Sequence, residues 1–424
     1  YIMKRKYLFL GCLLGSAFLL ASCGKDEVDE TWKTLPQEEI AIENGNAHFT
    51  VNGIDSKKGT VKVVAKSATE ADVTLTGIVP GYNTVLVNAT LEKGENSTYT
   101  FAGKAALTES PAIFTLKSTA QNPIYVVTVE GDINVEGKVN AKVTTNLSEN
   151  FRGTLANTWN INRIAPIVND APSTGVVWIT WTFNDAKYAN ATAIAMLAGS
   201  MMGGLLSNYL DAVTFCPDGN ITARYWEDED NQEGGNILEK LFKYAPQEDE
   251  KGENMIYGND HNDKWLESPA ANFAFWYVRD GMLYVVPNAA AFADEGDDTN
   301  IDLGSLQEEL QKLAAVGVDV TTLTAEVMKI MKNGVALKYT QEGDALKIYV
   351  DKSQCDPFVK SFIPALPLLD QMYEELKKST DESDQQTVQM IQLVCTMMGI
   401  EKPSDFEGMW NATEIFQIEL NFKK

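Results

Sequence analysis

The chain has 424 residues and a formal net charge of −24, with 59 acidic side chains against 35 basic ones. This length accommodates two or three domains with proper cores. A surface this acidic repels nucleic acid and anionic lipid headgroups, so we expect no nucleic-acid partner.

Residues 1–22 have the form of a secretory leader. A basic head, Lys4 to Lys6, precedes an uncharged and mostly apolar run from Tyr7 to Leu20. The run has about the length of a signal-peptide core, and it is shorter than the ~20 residues with which a helix crosses a bilayer. We therefore predict a signal peptide that is removed after Ser22.

The end of the apolar run, Leu20–Ala21–Ser22–Cys23, resembles the lipobox of bacterial lipoproteins. The resemblance implies that a signal peptidase cuts before Cys23 and that the Cys23 thiol carries diacylglycerol, a role that requires the nucleophilic thiolate. Lys25–Asp26–Glu27 resembles the acidic tag of surface-exposed lipoproteins of the Bacteroidetes, within an acidic tether over residues 23–44. We expect an outer-membrane lipoprotein exposed on the cell surface, with a periplasm-facing one as the alternative.

Residues 45–147 have the sequence pattern of β-strands throughout. Runs such as TVKVVAK, ADVTLTGI and NTVLVNATLEK alternate apolar and polar residues. Turn pairs such as Pro80–Gly81 and Lys93–Gly94 separate the runs. About eight short strands without a helical segment predict an all-β domain, a meandering antiparallel sheet that forms a barrel or a sandwich. We expect His48 to be an ordinary strand residue.

Residues 150–424 mix strands with helical insertions. Candidate strands include VVWITWTF, ITARYW, MLYVV and the closing EIFQIELNF. Hairpins are predicted across Cys216–Asn220, Arg279–Gly281 and Gln341–Asp344. The last strand alternates between an apolar face, with Phe416, Ile418, Leu420 and Phe422, and a polar face, with Gln417, Glu419 and Asn421.

Caps and apolar stripes predict helices in this second region. Ser305–Glu308 and Ser383–Gln386 are capping-box patterns, and a helix over residues 322–333 ends at Gly334. Two stripes are expected to be buried faces: Leu368, Leu369, Met372 and Leu376, and further on Val388, Ile391, Cys395 and Met398.

Tyr188–Leu210 is a run of 23 residues without a charge. Its length would allow a membrane span, but its Asn, Thr and Ser content disfavours one. Gly199 and Gly203, four residues apart, let another backbone approach closely. We expect a helix that is buried nearly all round and packed over one end of the sheet. The alternative is a lid over a cavity.

The segment Leu155–Ala156–Asn157–Thr158–Trp159 resembles the opening of calycin or lipocalin-like domains, where a Gly-x-Trp places a tryptophan across the barrel floor. Asn157 stands here in place of that glycine. Together with the leader, the chain resembles Bacteroidetes surface lipoproteins of unknown function with calycin-like domains. The resemblance implies a calycin-like β-barrel over residues 150–424 that binds a ligand and is not an enzyme.

No motif in the sequence marks a catalytic residue. Two isolated histidines, His48 and His261, cannot make a zinc site, and the acidic runs Glu227–Asp230 and Asp294–Asp298 lack the glycine of a calcium loop. No Gly-x-Ser-x-Gly elbow and no phosphate loop occurs. We expect no cofactor and no metal. A carboxylate-based glycoside hydrolase is the third option, without a spacing signature.

The candidate ligand contacts are aromatic, because such rings stack on sugars and line apolar pockets. They are four tryptophans on predicted strands: Trp178, Trp181, Trp226 and Trp276. Packing in the core is the alternative role for each. The leading hypothesis is a lipid-anchored envelope protein that binds a glycan or a small hydrophobic molecule. The alternative is a structural or adhesive surface protein without a pocket.

The lipid anchor is tested by Cys23→Ala. Because the acyl chains would attach to this thiol, we expect the variant to leave the membrane fraction and become soluble. Cys216→Ala is the control and should remain membrane-bound. Fractionation followed by immunoblotting measures both, and retention of the Cys23→Ala variant in the membrane would contradict the prediction.

Overall fold

The computed structural model describes residues 30–79, 82, 84–107, 124–227, 237–258, 264–268, 274–287 and 310–424. The leader with Cys23, His261, residues 228–230 and 294–298, and the Ser305–Glu308 pattern lie outside the described residues. The fold is mainly β, as predicted, with 42% strand against 32% helix.

Nine strands form a first sheet, in the order β1-β4-β5-β6-β7-β8-β9-β2-β3. Their bounds are β1 Ile40–Ala41, β2 Ala47–Val51, β3 Ile54–Ser56, β4 Thr60–Ala65, β5 Glu70–Thr76, β6 Thr84–Lys93, β7 Thr98–Leu107, β8 Tyr125–Asn134 and β9 Val139–Leu147. The predicted all-antiparallel meander is wrong at one pair, because β2 returns to the far edge and runs parallel to β9. His48 lies in β2, as expected.

A short connection makes this sheet curl. Seven strand spacings separate β3 from β4 along the sheet, which would be about 34 Å if it were flat. Only residues 57–59 join Ser56 to Thr60, and four residue steps span at most about 14 Å. Gly59 allows the tight passage, since at its φ of +120° a Cβ would lie 2.4 Å from Ile78 Cδ1. The two edges therefore approach each other, and we call the result the first barrel.

Side chains fill the interior of the first barrel. The inward apolar residues of its strands have relative exposures of 8% or less, except Ile54 of the edge strand β3; they include Phe49, Val63, Val73, Val87, Phe101, Val129 and Val143. Their alternation with less buried, mostly polar outward residues is the period-two pattern that the sequence displays.

The rest of the chain contributes fourteen further strands. They are β10 Thr158–Ile161, β11 Ile164–Val168, β12 Ala171–Pro172, β13 Val177–Phe183, β14 Leu210–Phe215, β15 Ile221–Tyr225, β16 Gln247–Glu248, β17 Asn254–Ile256, β18 Leu266–Glu267, β19 Ala274–Arg279, β20 Met282–Pro287, β21 Val335–Glu342, β22 Ala345–Asp351 and β23 Thr413–Lys423. Strands β12, β11, β17 and β16 form a small separate sheet.

Eight of these strands follow one another in chain order around an antiparallel up-and-down barrel. The order is β10, β14, β15, β19, β20, β21, β22, β23. Strand β23 returns to pair with β10, and a bridge between Asn220 and Phe275 joins the turn before β15 to β19. This second barrel is the architecture that the calycin resemblance implied.

The connections of the second barrel differ between its two ends. Three tight turns, at residues 216–220, 280–281 and 343–344, lie at one end, as the hairpin predictions required. The other end, here the helical end, receives four long insertions with all the helices after α1 (Glu149–Arg152). The helices whose full bounds the structure describes are α2 Ala189–Tyr209, α3 Ile237–Lys243, α4 Val320–Asn333, α5 Lys352–Phe362, α6 Leu366–Leu376, α7 Glu382–Met398 and α8 Phe406–Asn411.

Helix α2 packs against β13 through a stripe of small residues. The buried stripe repeats every fourth residue and consists of Ala191, Ala195, Gly199, Gly203 and Ser207. A Cβ at Gly199 would lie 3.0 Å from the Ile179 nitrogen, so only glycine permits this approach. The expectation of burial all round is wrong, because Leu197 and Met202 are 54% and 45% exposed on the opposite face.

By length and composition α2, with the turn before it, could cross a bilayer. Its most apolar window has a mean hydropathy of 1.4, and 28% of that window is buried in the protein.

Two helix predictions are wrong. Helix α7 is capped by Asp381, whose carboxylate accepts hydrogen bonds from the Ser383 and Asp384 amides, so the capping box at Ser383–Gln386 does not form. Asp is as good an N-cap as Ser, and here it comes two residues earlier. In α6 the buried residue is Tyr373, while Leu369 and Met372 are 45% and 49% exposed; that stripe is not a core face.

Other helix predictions are confirmed. Helix α4 ends at Asn333, with Gly334 as its C-cap. The predicted apolar stripe of α7 is buried at Val388 and Cys395. The thiols of Cys216, Cys355 and Cys395 are all free.

One tight turn of the second barrel, Cys216–Asn220, docks on the first barrel. The Leu147 amide donates a hydrogen bond to the Pro217 carbonyl at 3.0 Å. The Thr145 hydroxyl donates to the Asp218 carbonyl at 2.6 Å. These bonds satisfy turn carbonyls that would otherwise be buried without partners.

Aromatic packing completes this contact. The Tyr125 hydroxyl of β8 donates to the Trp276 carbonyl of β19, and the Tyr125 and Phe275 rings are 5.7 Å apart. Gly219 lies against the Tyr125 ring, where a Cβ would come within 2.6 Å of it. One continuous hydrophobic cluster consequently spans both barrels.

Tyr125→Phe tests this contact. Removing the hydroxyl leaves the buried Trp276 carbonyl without that donor, and we expect the free energy of unfolding to fall by about 1–3 kcal/mol. Tyr225→Phe is the matched control, because its hydroxyl has no hydrogen-bond partner among the described residues. Urea denaturation measures both, and equal stabilities of the two variants would contradict the prediction.

Candidate functional site

The strand register shows which side chains point into the second barrel. Directly opposed residues of an antiparallel pair share a face, and faces alternate along a strand. Trp159 is opposed to Val213, Leu283 to Leu337, and Val350 to Ile418. The inward face of this barrel is therefore apolar on nearly every strand.

Part of this interior is filled. The inward side chains with 4% exposure or less include Trp159, Ile161, Phe215, Trp276, Leu283, Leu346 and Phe422. The indole N–H of Trp159 donates to the Leu155 carbonyl at 2.9 Å, and the Lys424 ammonium lies 5.1 Å from its ring centre. Trp159 thus lies inside the barrel near its turn end, which is the place that the Gly-x-Trp resemblance implied.

A second group of inward side chains is only half-buried. It consists of Val213, Ile221, Val285, Leu337, Tyr339, Val350, Ile418 and Leu420. Among the inward apolar residues of the first barrel, such partial exposure occurs at Ile54 of the edge strand β3, whereas the residues of the longer strands β4 to β9 are buried. Protein atoms therefore do not fully cover the inner face of the second barrel, and we call the space that this group borders the lumen. Apolar walls with incomplete filling are typical of sites for small apolar ligands.

One polar group enters the lumen from β21. Burial raises the pKa of the Tyr339 hydroxyl above its usual value, which keeps the group neutral. It can donate a hydrogen bond to a polar atom of a bound molecule.

Six aromatic rings form a cluster at the helical end, here called the aromatic cap. They are Trp181, Phe183, Tyr188, Phe406, Trp410 and Phe416. The Phe416 ring centre is 5.3 Å from that of Trp181 and 5.1 Å from that of Trp410. The cap joins β13 and β23 to α8, so it holds the last insertion against the barrel.

An acidic residue of α5 fastens the aromatic cap. Asp356 accepts hydrogen bonds from the Trp410 indole at 2.8 Å, from Lys352 at 2.9 Å and from Lys360 at 3.0 Å. Burial by itself raises the pKa of Asp356, but these three bonds outweigh it and lower the pKa to about 2. The carboxylate therefore links α5 to α8 in its charged form.

A second polar group connects the end of α2 to the barrel. The Asp211 carboxylate forms an ion pair with the Arg163 guanidinium at 2.7 Å and a second ion pair with Arg224. The Arg163 guanidinium donates to the Ser207 carbonyl at 2.8 Å, near the C-terminus of α2. Burial lowers the pKa of Arg163, against the opposite effect of Asp211. Two cations and one carboxylate thus fix α2 on the helical end.

The four candidate tryptophans do not converge on one site. Trp276 is fully buried and donates to the Cys216 carbonyl, and Trp181 belongs to the aromatic cap. Trp226 packs beside Tyr209 with ring centres 5.7 Å apart. Trp178 is opposed to Glu419 and therefore lies on the outer face of the barrel.

Five described acids have a shifted pKa, and in all five the shift is downward. A glycosidase acid needs a raised pKa. For Asp351, Asp356 and Asp370, hydrogen bonds from neighbouring side chains outweigh the effect of burial, and the pKa is lowered instead. No group of three or more His, Cys, Asp or Glu that could hold a metal occurs within the described part of the chain.

Comparisons with known proteins add no family assignment. The chain matches no protein-family model, no curated protein and no solved structure.

Sequence reasoning missed the lumen residues as candidates. The alternation of the last strand marks Ile418 and Leu420 as an apolar face. An apolar face on one strand is equally consistent with a filled core, so this signal alone could not identify a binding site. The roles of Asp356 and Trp410 had no local signal, because their contact joins residues 54 positions apart.

The link through Asp356 predicts a dependence on pH. A pKa of about 2 in the folded state, against an ordinary ~3.9, stabilises the fold above about pH 4, and this contribution is lost as the pH falls toward 2. At pH 7 we expect Asp356→Asn to lower the free energy of unfolding by about 1–3 kcal/mol.

The difference between wild type and Asp356→Asn should shrink between about pH 4 and pH 2. Glu407→Gln, an exposed position in α8, is the control and should show no such change. Chemical denaturation across this pH range measures all three proteins. A difference that stays constant down to pH 2 would refute the role of the carboxylate.

Proposed function

We propose that the protein is a lipid-anchored cell-envelope protein that binds a small apolar molecule in the lumen of its second barrel, without catalysis. The observation that carries the proposal is the half-buried apolar lining, which contrasts with the filled interior of the first barrel. A ligand that covers this lining would remove apolar surface from water, and each Å² gains about 25 cal/mol.

The placement of the helices supports this proposal. All four long insertions lie at one end of the barrel, while the other end has only tight turns. Access to the lumen is therefore expected from the helical end, between α2 and the aromatic cap. In this proposal α2 has the role of a lid, which was the alternative to a fully buried helix.

The proposed anchor suits this arrangement. Cys23 is seven residue steps from Glu30, a reach of at most about 25 Å. The chain then packs against the first barrel where Thr31 bonds Tyr99, whereas the second barrel docks at the other end of the strands, near Leu107 and Tyr125. About 27 Å of strand separates Tyr99 from Leu107. The first barrel would hold the second away from the membrane on the cell surface.

A neutral apolar fluorophore, N-phenyl-1-naphthylamine, tests the lumen. We expect the purified protein to enhance its emission in a saturable manner. Ile418→Trp places a larger side chain in the lumen and should weaken binding at least about tenfold, a loss of about 1.4 kcal/mol. Ile415→Trp is the matched control, because Ile415 lies on the same strand but is 47% exposed.

Both variants must first show the melting temperature and circular dichroism of the folded protein. Unchanged binding by folded Ile418→Trp would refute the lumen as the site. Absence of saturable binding by the wild type would favour the alternative of a structural or adhesive surface protein.

A further inference from the structure

A row of side chains crosses the outer face of the second barrel on the side of the C-terminal strand. Tyr349 of β22 is directly opposed to Glu419 of β23, which is directly opposed to Trp178 of β13. Opposed residues share a face, so the two aromatic side chains flank the carboxylate, about 9.5 Å apart over two strand spacings. The next row, Asp351, Gln417 and Thr180, lies beside it on the same face.

Two ion pairs make this face electrically neutral. Lys347 pairs with Glu419 at 2.8 Å, and Lys338 pairs with Asp351. Gln417 donates a hydrogen bond to the other Glu419 oxygen at 2.6 Å, and Glu419 is 5% exposed. In a chain with a net charge of −24, a face with two cations and two carboxylates is balanced. Such a face offers hydrogen-bonding groups but no unpaired charge for an ionic ligand.

The indole N–H of Trp178 makes no hydrogen bond to the described protein, unlike four other tryptophans. The indole N–H groups of Trp159, Trp181, Trp276 and Trp410 all donate to protein acceptors. The half-buried Trp178 has no hydrogen-bond or ring partner within the part of the chain that the structure describes, and the same holds for the Tyr349 hydroxyl. Partly covered aromatic groups usually find a partner for their polar end, so this pair has donors available to a ligand.

We propose that this outer face, formed by Trp178, Tyr349, Lys347, Gln417 and Glu419, is a second binding site and that it takes a neutral carbohydrate chain. The apolar faces of sugar rings stack on aromatic side chains. Sugar hydroxyls can accept from Lys347 and from the Trp178 indole, and they can exchange hydrogen bonds with the Tyr349 hydroxyl. Charge balance disfavours an acidic polysaccharide, which would need an unpaired cation on the protein. It also disfavours a cationic partner, which would need an unpaired carboxylate.

This site is separate from the lumen. Its residues alternate with Ile418 and Leu420 along β23, so the sheet itself lies between the two sites. Occupation of one site does not require the other, and the two proposals can fail independently.

Isothermal titration of the purified protein with cellohexaose and maltohexaose, two neutral probes, tests the site, with oligogalacturonate as the acidic comparison. We expect at least one neutral probe to bind and the acidic one not to bind. Trp178→Ala should weaken the binding at least about tenfold. Trp178→Phe keeps an aromatic ring but loses the N–H donor, so its affinity should lie between those of the wild type and Trp178→Ala. Phe242→Ala removes a 72% exposed aromatic ring elsewhere and should bind as the wild type does.

Circular dichroism and melting temperature establish that each variant is folded. Trp178→Ala should also retain the binding of N-phenyl-1-naphthylamine, and Ile418→Trp should retain carbohydrate binding, which separates this site from the lumen. The proposal is overturned if neither neutral probe binds at millimolar concentration, if folded Trp178→Ala binds as the wild type does, or if only the acidic probe binds. A dimer that Trp178→Ala dissociates would instead assign this face to self-association.

Discussion

The turn Cys216–Asn220 is the contact on which the arrangement of the two barrels depends. It connects two strands of the second barrel, and the Gly219 carbonyl accepts from the Trp276 amide where that barrel closes. The same turn offers carbonyls to Leu147 and Thr145 of the first barrel. Only a residue without a side chain fits at Gly219, against the Tyr125 ring. Closure of the second barrel and its attachment to the first are therefore parts of one interaction.

The two barrels use the same strand periodicity for different purposes. In the first, buried inward residues leave a packed core, and a short connection between β3 and β4 closes the sheet tightly around it. In the second, only part of the inner face is covered. The helical insertions consequently lie over an interior that a ligand could complete. This difference, rather than any catalytic motif, is the basis of the proposed binding function.

Polar contacts position the helices that surround the lumen. Asp356 fastens α5 to α8 beneath the aromatic cap, and Arg163 with Asp211 fixes the end of α2. Each contact joins segments that the hydrophobic effect alone would leave free to slide, because apolar packing is not directional. The outer apolar surface of these helices, with Leu197 and Leu393 among its exposed residues, is left uncovered in the monomer.

The sequence alone determined the mainly β class, the positions of most long strands, the three hairpin turns and the C-terminal end of α4, because alternation, turn residues and caps act over a few residues. It could not determine the parallel pair β2–β9, since the two strands are distant in the chain. Nor could it show that Trp178 is opposed to Glu419, 241 positions away. The register of distant strands decided which face of each strand became interior, and burial decided whether that interior was filled. Both depend on the summed packing of the whole chain, which no local pattern contains.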